Sequence, residues 1–369
     1  MKITHLQCSY IKSQSKKSFH NSEIYRAIFS MGTSKTMEFK TVHSLQKTSR
    51  LLLTLLIILI PKWTWAHSWA AQEPQEYFAK QLPLFIQSTE RDLCPSETTL
   101  SSRCFLSLAK NSAKEITNVD SQNFAYLFIA ISQSDLGLPN SIRQSIAKIT
   151  NPSLRGIALT YLAKLHLRQE NLSHGLDTMA KAQKFSNISP QAYMNSWLNI
   201  LVADLFAILE RTSESQIFID QALQKLPLIK EHNTRSEIYA LVAQTRLKNG
   251  QRTKAKKTLE TAMMEAKKVR DPYLKSLALS FNSLAYHQLG SLSYSISTQE
   301  LAEEYAQNSA PPSRMVALAF LSSIQAKTGQ VESALRSLKK TIEILFLVQS
   351  PYHRAVSFAF LAQAIFFAV

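Results

Sequence analysis

Glycine is scarce in this chain, with 7 among 369 residues. A β-rich or nucleotide-binding α/β fold needs more, for turns, bulges and phosphate loops. Cysteine is scarcer still, at 3, and no CxxC, HExxH, P-loop or GxGxxG pattern occurs. Zinc-binding, thiol-redox and nucleotide chemistry therefore lack their usual carriers, and neither a metal nor a cofactor is expected. Acids are also few, 26 Asp/Glu against 42 Lys/Arg, for a formal charge of +16. Such an excess points towards polyanions, but its position argues otherwise. Residues 1–66 hold 10 Lys/Arg and 2 Asp/Glu, so half of the excess lies in a segment read below as removable. The remainder spreads over a solvated surface, and no nucleic-acid partner is expected.

What is present begins with an apolar run, LLLTLLIILI at 51–60, preceded by Lys40, Lys47 and Arg50. Pro61 and the small-residue sites Thr64-Trp65-Ala66 and Ser68-Trp69-Ala70 follow it. This is the order of basic region, apolar region and cleavage region in a secretory signal peptide. Ten residues make about 15 Å of helix, short of a bilayer core of about 30 Å. The expectation is export to a periplasmic or secreted location, with an anchor formed by an uncleaved signal as the alternative. Met37 gives a signal of ordinary length, which makes residues 1–36 an upstream extension; an organelle transit peptide is the rival reading of this Ser/Thr-rich stretch. Cys8 lies in the removable part, leaving Cys94 and Cys104. In an oxidising compartment these two can form a disulfide, and two free thiols are the alternative.

The strongest signal is an internal repeat. Gly250, Gly290 and Gly329 are spaced by 40 and 39, and the same step backwards lands on Glu210 and Glu170. Seven residues before these positions stand Ala163, Ala203, Ala243, Ser283 and Ser322. Five after them stand Gly175, Ser215, Ala255, Ser295 and Ala334, and twelve after them Ala182, Ala222, Ala262, Ala302 and Thr341. Apolar residues at spacings of 3 and 4 mark the buried faces of two helices, and the small residues let their backbones approach. Such a hairpin cannot bury its own stripe and must stack on its neighbours. Asn151-Pro152, Ser189-Pro190, Asp271-Pro272, Pro311-Pro312 and Ser350-Pro351 mark helix starts in the same phase, with His232-Asn233-Thr234 as a softer boundary.

These positions resemble the tetratricopeptide (TPR) family. The segments GQRTKAKKTLETA at 250–262 and GQVESALRSLKKT at 329–341 follow its turn, small and large positions. The likeness covers about 151–345 and extends weakly to 121–150, with Ala130 and Gly137 in the equivalent places. It departs in length, because the family's repeat is about 34 residues. PPR and Sel1-like arrays are rivals, though the glycine-rich Sel1 pattern is missing. The expected architecture is an all-α, right-handed α-solenoid of antiparallel helix-turn-helix repeats. Residues 1–70 are the extension and signal, 71–120 an N-terminal helical cap, and 121–369 the solenoid. The last repeat reads as incomplete: 351–369 begins a first helix, and its apolar end implies either truncation or pairing with another chain.

The resemblance implies that first helices line a concave groove. Its candidate ligand-binding residues are Thr160, Lys164, Asp204, Gln244 and His287. The Lys/Asn clamp by which some members of that family grip carboxylates is absent, since Thr160–Lys164 is followed by Ile200–Asp204 and Ala240–Gln244. His166 reads as a packed helix residue, and Asp204, inside WLNILVADLFAIL, is the most unusual acid. No catalytic set assembles in sequence, so the expected role is a non-enzymatic scaffold for a protein or peptide partner. A helical-repeat envelope hydrolase or lyase, with a deep pocket and acids of perturbed pKa, is the alternative, as is a membrane-anchored peptide sensor.

Overall fold

A computed structural model describes residues 101–186 and 191–368. These residues form fourteen α-helices and no strand, an all-α solenoid of antiparallel helical pairs. The even-numbered helices are α2 (Val119–Asp135), α4 (Pro152–Arg168), α6 (Ala192–Ile208), α8 (His232–Lys248), α10 (Pro272–Gln288), α12 (Pro311–Lys327) and α14 (Pro351–Ala368). The odd ones are α1 (Ser102–Lys114), α3 (Pro139–Lys148), α5 (Leu172–Ser186), α7 (Thr212–Lys225), α9 (Arg252–Lys268), α11 (Leu292–Gln307) and α13 (Val331–Leu345). The Ser189-Pro190 boundary lies outside the described residues.

Each turn position expected from the repeat adopts the left-handed conformation. Gly137, Glu170, Glu210, Gly250, Gly290 and Gly329 have φ between 59° and 80°. The next residue donates its N–H five residues back, as in Gln251 to Arg246 (2.8 Å) and Arg211 to Phe206 (2.9 Å). This cap satisfies carbonyls that the helix end leaves bare and turns the chain sharply enough for an antiparallel partner. At the opposite end, Asn151 and Asp271 accept from the N–H of Leu154 and Leu274, with proline entering the first turn.

The small residues act where expected. Ser196, Ser236 and Ser276 donate their hydroxyls to the carbonyls of Ala222, Ala262 and Ala302 on the paired helix, at 2.8–3.0 Å. Gly156 holds the same register in α4, where a Cβ would stand 2.6 Å from that of Phe185. A second device was not foreseen. Arg155, Arg235 and Arg314, each in the first turn of an even helix, donate to the carbonyls of Ile149, Ile229 and Ser309 at the end of the preceding odd helix. Each pair is thereby tied to the next by a charge-assisted bond.

Even helices pack on even helices in the order α2, α4, α6, α8, α10, α12, α14, and α14 then packs on α2. Each even helix pairs with the odd helix that follows it, except α14, which pairs with α1. The repeats thus close into a ring of seven pairs, with even helices inside and odd helices outside. The joint is fully packed: Phe105 and Phe358 are both inaccessible, with ring centroids 5.9 Å apart. Ser132 on α2 donates to Ala359 O (2.8 Å) and accepts from Gln363 (2.8 Å). Within 351–368, Phe358, Leu361, Ala362 and Ile365 are therefore covered within this chain, whereas Phe366 and Phe367 of the apolar end, read as a sign of truncation or of pairing with another chain, stay exposed. The described part of the stretch expected as an N-terminal cap supplies the outer helix of the seventh pair. Cys104, in α1, is disulfide-bonded, and its partner lies outside the described residues, as do Cys94 and the run at 51–60.

Candidate functional site: the lumen of the ring

The serines of α6, α8 and α10 that bond the outer helices fix the orientation of those three inner helices, and the register extends it to the others. One i, i+4 row of each inner helix carries three positions, 2, 6 and 10 residues before its small residue. The first of these is Phe128, Tyr161, Leu201, Leu241, Phe281, Phe320 and Phe360. Phe320 touches both Phe281 (5.0 Å) and Phe360 (4.9 Å), and Phe360 also meets Phe128 (5.3 Å). A side chain that reaches its equivalents on both neighbouring helices points into the lumen, so this row is an apolar waist.

Beyond the waist, at the C-terminal ends of the inner helices, lies an ionic belt. Asp204 accepts from Lys164 (2.8 Å) and from Lys248. Asp135 accepts from Lys327 (2.7 Å) and faces Arg168 at 3.8 Å, while Lys327 also donates to Gln363 (3.0 Å). Burial alone would raise Asp204, but the charges and hydrogen bonds of its two lysines outweigh it and hold the carboxyl well below its ordinary range. Burial lowers Lys248, and the charge of Lys164 lowers it further.

The opposite end is aromatic and acidic. The position 6 residues before the small residue holds Phe124, Ile157, Trp197, Glu237, Leu277, Val316 and Val356, one acid among apolar residues. Ile157, Val316 and Val356 are buried, whereas Trp197, Glu237 and Leu277 on α6, α8 and α10 keep accessible surface. Glu237 is surrounded by protein yet still accessible, as expected of a side chain in a lumen. Burial pushes its carboxyl up to about 7, and a hydrogen bond with Asn233 offsets only part of that. Tyr193, Tyr273 and Tyr352 stand one turn nearer the rim. Burial raises Tyr193, helped by the charges of Asp120 and Glu231. Tyr273 is raised by burial, then by Tyr352, Glu237 and Asp271. The charge of Asp120 on α2 acts on Tyr193 of α6, and Tyr352 of α14 acts on Tyr273 of α10, each past one intervening helix of the ring.

The structure places the expected groove residues unequally. Lys164 and Asp204 face the lumen, but they engage each other. Gln244 is half-buried in the same register, with a buried amide nitrogen that finds no partner among the described residues. His287 is partly exposed on the last turn of α10. Thr160 does not line the groove: it is 2% exposed, and its hydroxyl donates to Ile157 O within its own helix. Its register, with Ile200, Ala240, Ser280 and Ala319, is buried throughout, because ring closure presses adjacent inner helices together there. The true lining lies one residue later, at the waist. Glu237 was missed, although aligning the repeats exposes it as the one charge in an apolar register. His166 is packed as expected, beside His174 and Arg143, with burial lowering its pKa first.

Among the described residues, no three His, Cys, Asp or Glu side chains gather where a metal could bind, and no helix is long and apolar enough to cross a membrane. Comparison with protein families and with curated proteins finds no match to this chain.

Proposed function

We propose that the chain is an exported, TPR-like binding protein that takes an extended segment of a protein or peptide partner into the lumen of its ring. The observation that carries this reading is the aromatic end formed by Tyr193, Trp197, Glu237 and Tyr273. Accessible aromatic surface around one polar group is how concave binding sites are built. Export is supported by the signal-like order around 51–60 and by the disulfide at Cys104, which suits an oxidising compartment.

The test is site-specific photocrosslinking in the native host. A benzophenone side chain at Trp197, inside the ring, should give a discrete partner adduct. The same group at Leu292, which is exposed on the outer helix α11, should not. Adducts confined to Leu292 would move the binding surface to the outside and defeat the reading.

Glu237 also favours a second reading, a hydrolase or lyase. A carboxyl near 7 can exchange a proton at neutral pH. Product formation from peptide or glycan substrates, lost in Glu237→Gln, would establish it. Binding without turnover would exclude it for those substrates.

A further inference from the structure

We propose that the aromatic end of the lumen binds an alkylammonium group, with Glu237 as its counter-charge and Tyr193, Trp197 and Tyr273 as its walls. This rests on the lumen-binding reading and specifies the chemistry of the bound group.

The argument starts from what folding does not require. Six of the seven inner helices place an apolar residue in the register of Glu237, so the ring closes without an acid there. An enclosed carboxyl is costly unless a cation or hydrogen-bond donors compensate it. Asn233 is a neutral donor, and among the described residues no cation forms an ion pair with Glu237. Nearby basic side chains are turned elsewhere. Arg235 is bound to Glu265 and to Ile229 O, and Lys275 donates to Lys267 O while lying 4.5 Å from the ring of Tyr305. Among the titratable groups at this end, Glu237, Asp271 and Tyr352 act on Tyr273, and Asp120 and Glu231 act on Tyr193; His353, in ring contact with Tyr352, is a base whose neutral form burial favours. An anion entering there meets the charges of Glu237, Glu231, Asp120 and Asp271. A cation gains Glu237 at short range and the faces of Trp197 and the tyrosines, which attract positive charge through the ring quadrupole. Two sources share that chemistry, a lysine side chain carried by a peptide and a free polyamine.

Calorimetry on the full chain tests the proposal. The probes are spermidine and a capped Gly-Gly-Lys-Gly-Gly peptide, titrated at pH 8.0, 6.5 and 5.5. We expect saturable binding of at least one probe at pH 8.0. Because the carboxyl must be ionised, affinity should fall about thirtyfold by pH 5.5. Glu237→Gln keeps the shape and should weaken binding tenfold or more while flattening the pH profile. Tyr273→Phe keeps the ring and should bind within a few-fold of the parent. Asp177→Asn removes an exposed acid on α5 and should change nothing. Melting curves confirm that each variant is folded.

No saturable binding by either probe, or binding unchanged in folded Glu237→Gln, overturns the proposal. So does tighter binding by Glu237→Gln, which would mean a neutral, hydrogen-bonding ligand. Which probe binds separates a peptide-borne amine from a free polyamine. A crosslink from Trp197 with both probes inert would leave lumen binding standing and defeat only the cation. Probe binding without any crosslinked partner would do the reverse.

Discussion

Ring closure makes the first described helix responsible for the stability of the last. Phe105→Ala tests this. Phe105 is wholly buried against Phe358, in one continuous core that also holds Leu106 and Ala109 of α1, Leu127 of α2, and Leu361 and Ile365 of α14. Truncating a buried phenylalanine costs about 3–5 kcal/mol, as lost transfer energy plus the cavity that remains. Loss of the ring pair is contained within that figure. Urea unfolding at pH 7 should show a decrease of this size. Hydrogen exchange should locate it. In an open array a defect at one end propagates only to its neighbour. In a closed ring, α14 and α12 should lose protection together with α1 and α2, while α7, α8 and α9 on the far side hold theirs. A loss under about 1 kcal/mol, or unchanged protection across Pro351–Ala368, would refute closure at this joint.

Three further outcomes follow from the same geometry. Glu170 and Glu210 occupy left-handed turn positions that three of the later repeats fill with glycine; Glu170→Gly and Glu210→Gly should each raise stability by about 0.5–1 kcal/mol in urea melts, and a loss would show that those side chains make contacts worth more than the strain. Asp204→Asn leaves Lys164 and Lys248, 21% and 35% exposed, facing each other in a partly buried site and should cost about 1–3 kcal/mol at pH 7 after discounting for solvent screening. Because the folded carboxyl titrates below its unfolded value, Asp204 stabilises above that unfolded value and the contribution fades as pH falls through the acid range, so parent and variant should converge towards pH 2. Glu237 has the opposite sign: its folded pKa, about 7, lies above the ordinary 4.5, so keeping it in the fold becomes costly as pH rises through 4.5 to 7. Glu237→Gln should therefore be more stable than the parent at pH 8 by about 1–3 kcal/mol, discounted for its partial solvation, and near equal to it at pH 4. A stability gap independent of pH would contradict the enclosed position of this carboxyl.

The helices, their turns and their pairing were legible because each repeat states them several times. Gly250, Gly290 and Gly329 fixed the period, and the same period found Glu170 and Glu210, whose side chains alone would never suggest a left-handed turn. Closure was not legible. Nothing in Ser102–Lys114 aligns with the outer helices of other repeats, so periodicity could not reveal that it fills the same place. That place is set by the curvature accumulated over seven pairs, a sum of small rotations that no single repeat specifies. The error at Thr160 has the same origin. In an open groove its register would face the concave side, but bending the array into a ring turns it between neighbouring helices and brings Tyr161 inward.

Closure also changes what the inner surface can be. An open solenoid offers a groove that widens or narrows as the array flexes. Here every inner helix has two inner neighbours and an outer one, and the joint is as tightly packed as the rest, so the spacing across the lumen is fixed. Aromatic rings from different helices then stand at set distances, and little ordering remains to be done when a ligand arrives. The two ends differ in the same fixed way. The ionic belt pairs Asp135 and Asp204 with Lys327, Lys164 and Lys248 and so uses most of its charge internally. Glu237 keeps its charge unpaired by any described cation, at a cost in stability that six other repeats avoid. An asymmetry of that kind, held in place by a closed frame, gives the lumen a polarity that directs a positively charged group to one end.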